Sequence, residues 1–192
     1  MQKRAGNNAH FKTPQIRRAR RTLFLVIILA SIALYFPINR IAQNGVQLSL
    51  PIDRQIPFYP PFIIPYLSGT LLFIGVPVWA AIRAGPGDFE DYTISILLAI
   101  WVSYIVYIVL PTYVSRPEVV SKDIFSKVME ILYGIDRAYN AAPSGHAIYS
   151  TLSFLYLIRW VPRYKFIWLA SWITILASAL FTRQHNVLDI VS

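Results

Sequence analysis

The sequence predicts an all-α protein, a polytopic membrane helix bundle with five spans and a short interfacial helix in the third loop. Three observations lead there. Apolar residues make up 56% of the 192 residues and charged residues only 14%, against roughly 25% charged in a soluble domain. The mean hydropathy is +0.49. The charges are clustered, and the stretches between them are long enough to cross a bilayer, which takes about 20 mostly apolar residues.

The spans follow in order. The first lies between Arg21 and Arg40 (TLFLVIILASIALYFPIN), and the second runs from about Phe62 to Ile82. The third lies between Asp91 and Arg116, the fourth from Ala138 to Trp160, and the fifth between Lys165 and Arg183. The first stretch exceeds the apolar region of about 7–15 residues in a signal peptide and has no small-residue cleavage site, so it reads as a retained span. The run Pro57-Phe58-Tyr59-Pro60-Pro61 cannot continue a helix and reads as a turn leading into the second span. In the third loop, Ile124, Val128, Ile131 and Leu132 recur at helical spacing with Ser121 as a candidate cap. This is the pattern of an amphipathic helix lying at the membrane surface.

Charge placement predicts orientation. The net charge is +9, and Lys3, Arg4, Lys12, Arg17, Arg18, Arg20 and Arg21 all precede the first apolar run. Residues 1–21 therefore read as a basic cytoplasmic segment, not a nucleic-acid arm, and residues 22–192 as the membrane domain. The segments about 83–91 and 159–165 then face the cytoplasm, while the loops about 39–61 and 115–142 face out. The chain has no cysteine, which excludes disulfides and thiolate metal sites.

Three polar clusters then fall on one predicted outer face. Arg116-Pro117 follows the third span, Pro143-Ser144-Gly145-His146 opens the fourth, and Arg183-Gln184-His185-Asn186-Val187-Leu188-Asp189 follows the fifth. Ionisable groups at the ends of membrane helices are costly, so their clustering indicates function. His185 and Asp189, four apart, would share a helix face. The carboxylate would fix the imidazole tautomer and leave one nitrogen free as a nucleophile. Pro143 suits a first helical turn, where the amides of Gly145 and His146 and the Ser144 hydroxyl would meet an anion. Arg116 and Arg183 would bind phosphoryl oxygens as permanent cations.

The ordered set Arg-Pro, Pro-Ser-Gly-His and Arg-x-His-x-x-x-Asp resembles the phosphatidic-acid phosphatase type 2 superfamily over roughly residues 50–192. Ile56-Pro57-Phe58, Pro65-Tyr66, Tyr133, Asp136 and Asn140 resemble its inositolphosphotransferase-like branch. The resemblance implies an integral membrane enzyme of six helices. The chain ends three residues after Asp189, so the expectation is five spans of six, truncated before the last. It further implies His185 as the nucleophile, Asp189 as its orienting partner and His146 as the acid for the leaving alkoxide. Arg116, Ser144, Gly145 and Arg183 would hold the phosphate, with no metal and no cofactor. Two departures stand out: Val109 occupies the place of a lysine in the first motif, and only Gln184 separates Arg183 from His185.

The function implied is hydrolysis of a lipid phosphate or an isoprenyl pyrophosphate through a phosphohistidine, at the outer face. One alternative is transfer of the phosphoryl headgroup to an acceptor alcohol. The other is a non-catalytic lipid-binding membrane protein.

Overall fold

The computed structural model describes residues 14–192. Lys3, Arg4, Lys12 and the rest of residues 1–13 of the basic segment lie outside them. The described chain is all-helical, without a β-strand.

Helix α1 (Pro14–Ala33) starts at a proline, so Arg17, Arg18, Arg20 and Arg21 form its first turns instead of preceding it. The helix breaks at Leu34 and resumes as α2 (Tyr35–Ile41). Pro37 explains the break, because it has no N–H to offer the carbonyl of Ala33 and its ring crowds that carbonyl. A single turn at Pro60–Phe62 leads into α3 (Ile63–Arg83), matching the turn read from the proline run. Gly85-Pro86 then separates α3 from α4 (Pro86–Val109), with proline at the first helical position, where its missing N–H costs nothing.

Helix α5 (Ile124–Ile135) is amphipathic. Met129 is buried, while Ile124, Ile131 and Ile135 are exposed. Its cap is Asp123, which accepts from the amides of Phe125 and Ser126. Ser121, expected as the cap, instead donates to the Asp123 carboxylate at 2.6 Å. A carboxylate is the stronger acceptor and also meets the positive end of the helix dipole. The chain continues through α6 (Gly145–Trp160), a turn at Pro162–Tyr164, α7 (Lys165–Phe181) and the short α8 (Val187–Val191).

Among the described residues, four helical segments are long and apolar enough to cross a membrane: Pro14–Ile41, Pro60–Arg83, Pro86–Val109 and Pro162–Phe181. The expected stretch from Ala138 to Trp160 yields only the 16 residues of α6, about 24 Å of rise against a hydrocarbon core of about 30 Å. Its first seven residues form a non-helical loop, with Asn140 at φ 59°. Val114 N–H donates to the Ala138 carbonyl at 2.9 Å, and Thr112 Oγ1 accepts from Ala142 N–H at 2.7 Å.

The helices pack as a bundle in which α6 contacts α3, α4 and α7, and α1 contacts α3 and α4. Ile28, Val76, Ala80, Phe89, Tyr92, Ile96 and Ile100 form its main core. The outward faces stay apolar, with Leu23, Val26, Leu71, Ile94, Leu98, Ile105, Ile108 and Phe166 all exposed. Such a surface is far more apolar than water tolerates on a monomer and suits lipid. This is a membrane protein.

The two ends of the bundle differ. At one, Arg20 pairs with Glu90 and Arg159 with Asp88. Arg21 donates to the carbonyls of Ala81 and Ala84, satisfying the C-terminal carbonyls of α3. At the other end the polar clusters gather.

Candidate active site

A cavity of about 340 Å³ lies where α2, the start of α3, the end of α4 and the start of α6 converge. Its polar end holds Arg116, Asp136, Asn140, Gly145, His146, Gln184 and His185, and its remaining wall includes Ile32, Phe36, Leu67, Phe73, Ile74 and Leu132. Phe36, Leu67 and Ile74 are also exposed on the outer surface. The cavity is therefore polar at one end and reaches the lipid-facing side at the other.

His146 is the second residue of α6. Its ring stacks on Tyr66 at 3.9 Å between centroids and meets the edge of Phe73 at 4.9 Å. Its Nε2 lies 3.1 Å from Thr70 Oγ1. His185 is buried, and its ring centroid is 6.2 Å from that of His146. Reacting atoms in a productive arrangement sit about 3–3.5 Å apart, so a phosphorus atom between the two rings is sterically reasonable.

The His185 tautomer follows from its surroundings. Nδ1 is 2.8 Å from the carbonyl of Ala141, which can only accept, so Nδ1 carries the proton and Nε2 keeps its lone pair. Burial, opposed by the Ala141 bond and aided by the Arg116 charge, pushes the His185 pKa down to about 4. The ring is neutral at pH 7. That is the state a nucleophile needs.

The expected His185–Asp189 pair does not form. Helix α8 begins at Val187, so His185 precedes it and the two residues share no helical face. Asp189 instead accepts from the Asn186 amide at 2.6 Å, and its backbone carbonyl accepts from Ser144 N–H at 2.7 Å. The loop turns sharply there because Arg183 adopts a left-handed backbone, φ 52°. Asp189 is fully buried, and burial together with the nearby Asp53 raises its pKa to about 7, against the Asn186 bond.

Arg116 reaches the cavity. Its Nη1 donates to the Asp136 carbonyl at 2.5 Å, and Nη2 donates to Gln184 Oε1 and lies 3.9 Å from the Asp136 carboxylate. Asp136 is largely shielded from solvent, and this desolvation raises its pKa despite the Tyr35 hydroxyl at 2.7 Å and the Arg116 charge. Gly145 also lines the cavity. A Cβ there would meet nothing closer than Tyr149 at 3.5 Å, so the glycine leaves room for a ligand to approach the backbone.

Ser144 and Arg183 are placed otherwise than expected. Ser144 is fully buried as the cap of α6, its Oγ accepting from Ala147 N–H at 3.3 Å. Arg183 Nη1 donates to the Asp53 carbonyl at 2.6 Å. It lines a separate polar hollow of about 440 Å³ with Ser49, Arg54, Ser115 and Asn186, where Arg116 forms the common wall.

Sequence reasoning missed the strut beneath the site. Asp53, buried, accepts from Val187 N–H at 2.8 Å and Leu50 N–H at 2.6 Å, and Asn186 Nδ2 donates to the Leu48 carbonyl at 2.8 Å. Residues 48–54 thus hold the segment bearing His185. The signal in the sequence was Asp53 itself, the only acidic residue before Asp88. Fold and site define an all-α membrane protein with two histidines and an arginine on one amphipathic cavity. No family model, no curated protein and no solved structure matches the chain.

Proposed function

We propose that this chain is a membrane phosphatase of the phosphatidic-acid phosphatase type 2 kind, acting on a lipid phosphate or pyrophosphate monoester through a phosphohistidine. The observation that carries this is the convergence of His146, His185 and Arg116 on one cavity whose other wall is apolar and open toward lipid. An amphiphile with a phosphate at one end fits such a space.

In the first step His185 Nε2 attacks phosphorus, the N–P bond forms and the bond to the alkoxide oxygen breaks. His146 supplies the proton that the alkoxide takes up. In the second, His146 removes a proton from water, the resulting oxygen attacks phosphorus and the P–N bond breaks. Arg116 and the Gly145 amide stabilise charge on the equatorial oxygens. The Ala141 carbonyl takes the orienting role expected of Asp189, which fixes the turn behind His185.

In this reading α6 is a fifth span and α5 rests at the interface. The arginine-rich end of the bundle faces the cytoplasm and the cavity faces out. Transfer to an acceptor alcohol in place of water is the second reading. The polar hollow beyond Arg116, lined by Arg54 and Arg183, would admit such an acceptor from the aqueous side.

The test is phosphate release from lipid vesicles by the wild type and by His185→Ala, with and without EDTA. Release by the wild type with an acid-labile phosphoenzyme, both abolished in His185→Ala, is expected. A folded wild type that releases nothing and forms no phosphoenzyme refutes the phosphatase, and then only lipid binding remains.

A further inference from the structure

Three side chains on the cavity wall carry buried polar atoms with no partner among the described residues. These are Nε of Arg116, Nε2 of Gln184, and both Oδ1 and Nδ2 of Asn140. Gln184 is 3% exposed and Asn140 2%. Unpaired buried polar atoms are rare in native folds, and several around one space mark a place where a ligand completes them. For Asn140 the result does not depend on which way the carboxamide is turned: one donor and one acceptor stay bare either way. Asn140 also sits at φ 59°, a left-handed conformation that asparagine tolerates better than most residues.

The charge on this wall is small. Among the described residues, Arg116 is the only Lys or Arg that lines the cavity, and its Nη groups are already engaged by Asp136, Arg137 and Gln184. Arg183 is held away by the Asp53 carbonyl. A diphosphate would bring two or three negative charges into a space offering one cation, and unpaired charge in such surroundings is costly. A phosphoryl group with one charge can be matched by Arg116 and neutral N–H donors.

We propose that Asn140 and Gln184 bind the phosphoryl group of the substrate alongside Arg116, and that the cavity takes a singly charged phosphoryl group, a phosphodiester or singly protonated monoester, in preference to a diphosphate. This rests on the phosphoryl-transfer reading and narrows its substrate. The bare acceptor of Asn140 would be met by a P–OH or a headgroup hydroxyl.

The experiment uses the full chain in lipid nanodiscs, with methyl hexyl phosphate and hexyl diphosphate as probes of matched hydrocarbon. Affinities are measured by phosphorus NMR for the wild type, Asn140→Gly, Asn140→Asp and Gln184→Met. Glycine and aspartate both accept the left-handed backbone, so folding is preserved while the carboxamide is lost. The diester is expected to bind at least tenfold more tightly than the diphosphate, and each variant to weaken the diester about tenfold. A diphosphate that binds as well or better, or Asn140 variants with unchanged affinity, overturns the proposal. Binding that depends on Asn140 without any turnover would leave this inference intact and remove phosphoryl transfer. Turnover of lipid phosphate with KM unchanged in both Asn140 variants would do the reverse.

Discussion

His185 donates its Nδ1 proton to the carbonyl of Ala141 across 2.8 Å, so the orientation of this imidazole is set by backbone and not by a carboxylate. A backbone carbonyl cannot be protonated or withdrawn in the range where proteins are folded. The neutral tautomer therefore persists well into acid. Burial holds the His185 pKa at about 4 in place of 6.5. Activity that needs the free Nε2 lone pair should keep its acid limb near pH 4, and kcat/KM should be flat from about pH 5 to neutrality on that side. A limb near 6.5 in the kcat/KM profile would show that His185 is solvated or is not the nucleophile. Asp189→Asn should lower kcat by no more than about tenfold, a smaller loss than the 10⁴-fold or so that follows when an orienting carboxylate is removed from a true triad.

The same two groups set opposing pH dependences of stability. His185 has its folded pKa lowered from 6.5 to about 4, so its contribution is present above 6.5 and is lost as pH falls toward 4. Asp189 has its folded pKa raised from 3.8 to about 7, so its contribution is present below 3.8 and is lost as pH rises toward 7. Between pH 4 and 6.5 the two slopes have opposite signs and largely offset each other. Asp189→Asn keeps an acceptor for the Asn186 amide and removes one slope. Its Tm, followed by tryptophan fluorescence in detergent, should rise from pH 4.5 to 6.5 more steeply than that of the wild type. Parallel curves for the two proteins would contradict the assignment.

What the sequence disclosed divides along physical lines. Apolar helices at the first, second, third and fifth positions were legible because a bilayer demands runs of apolar residues, and four helical segments long and apolar enough to cross one are present among the described residues. The fourth was overextended. Residues 138–144 carry no charge, but hydropathy cannot see that Thr112 and Val114 tie them into a loop outside the helix. Of the site, Arg116, Gly145, His146 and His185 meet on one cavity. Helical spacing misled for His185 and Asp189, because it presumes a continuous helix and the chain turns at Arg183. Residue type misled for Ser144 and Arg183: serine suits a helix cap as well as a phosphate, and arginine a carbonyl as well as an anion. Gln184 and Asn140 drew little notice because neutral carboxamides carry no sequence signal until their surroundings are known.

Arg183 and Arg116 should respond differently to substitution. Arg183 donates to the Asp53 carbonyl outside the histidine cavity, whereas Arg116 lines it. Arg183→Asn, which tolerates the left-handed backbone at φ 52°, should cost about 1–2 kcal/mol of stability through the lost charged hydrogen bond. KM for a lipid phosphate should change by less than about threefold, since uniform substrate binding is untouched. Arg116→Lys should lower kcat/KM by about a hundredfold or more, because one ammonium cannot reproduce the guanidinium's fixed donors. Equal losses in the two variants, measured on the same vesicles, would mean that Arg183 swings into the cavity during turnover.

Gly69 supplies a last test of how packing in the bundle governs the site. It lies on α3 beside Ile175 of α7 and His146 of α6. A Cβ added there would stand 2.9 Å from Ile175 Cγ2 and 3.4 Å from His146 Cδ2. The first distance is a clash with a stiff β-branched side chain, and the second presses on the histidine ring that stacks on Tyr66. Gly69→Ala should therefore destabilise the protein by about 1–3 kcal/mol, the usual cost of overpacking. It should also lower kcat by about tenfold or more, because small displacements of a reacting group carry large rate penalties. Ile175→Ala removes the Cγ2 and leaves a cavity of its own. The double variant Gly69→Ala/Ile175→Ala should then be more stable than the sum of the single losses predicts, with a coupling of about 0.5–3 kcal/mol. Additive losses in thermal melts would mean that α3 and α7 separate freely, and the rigid placement of His146 would lose its basis.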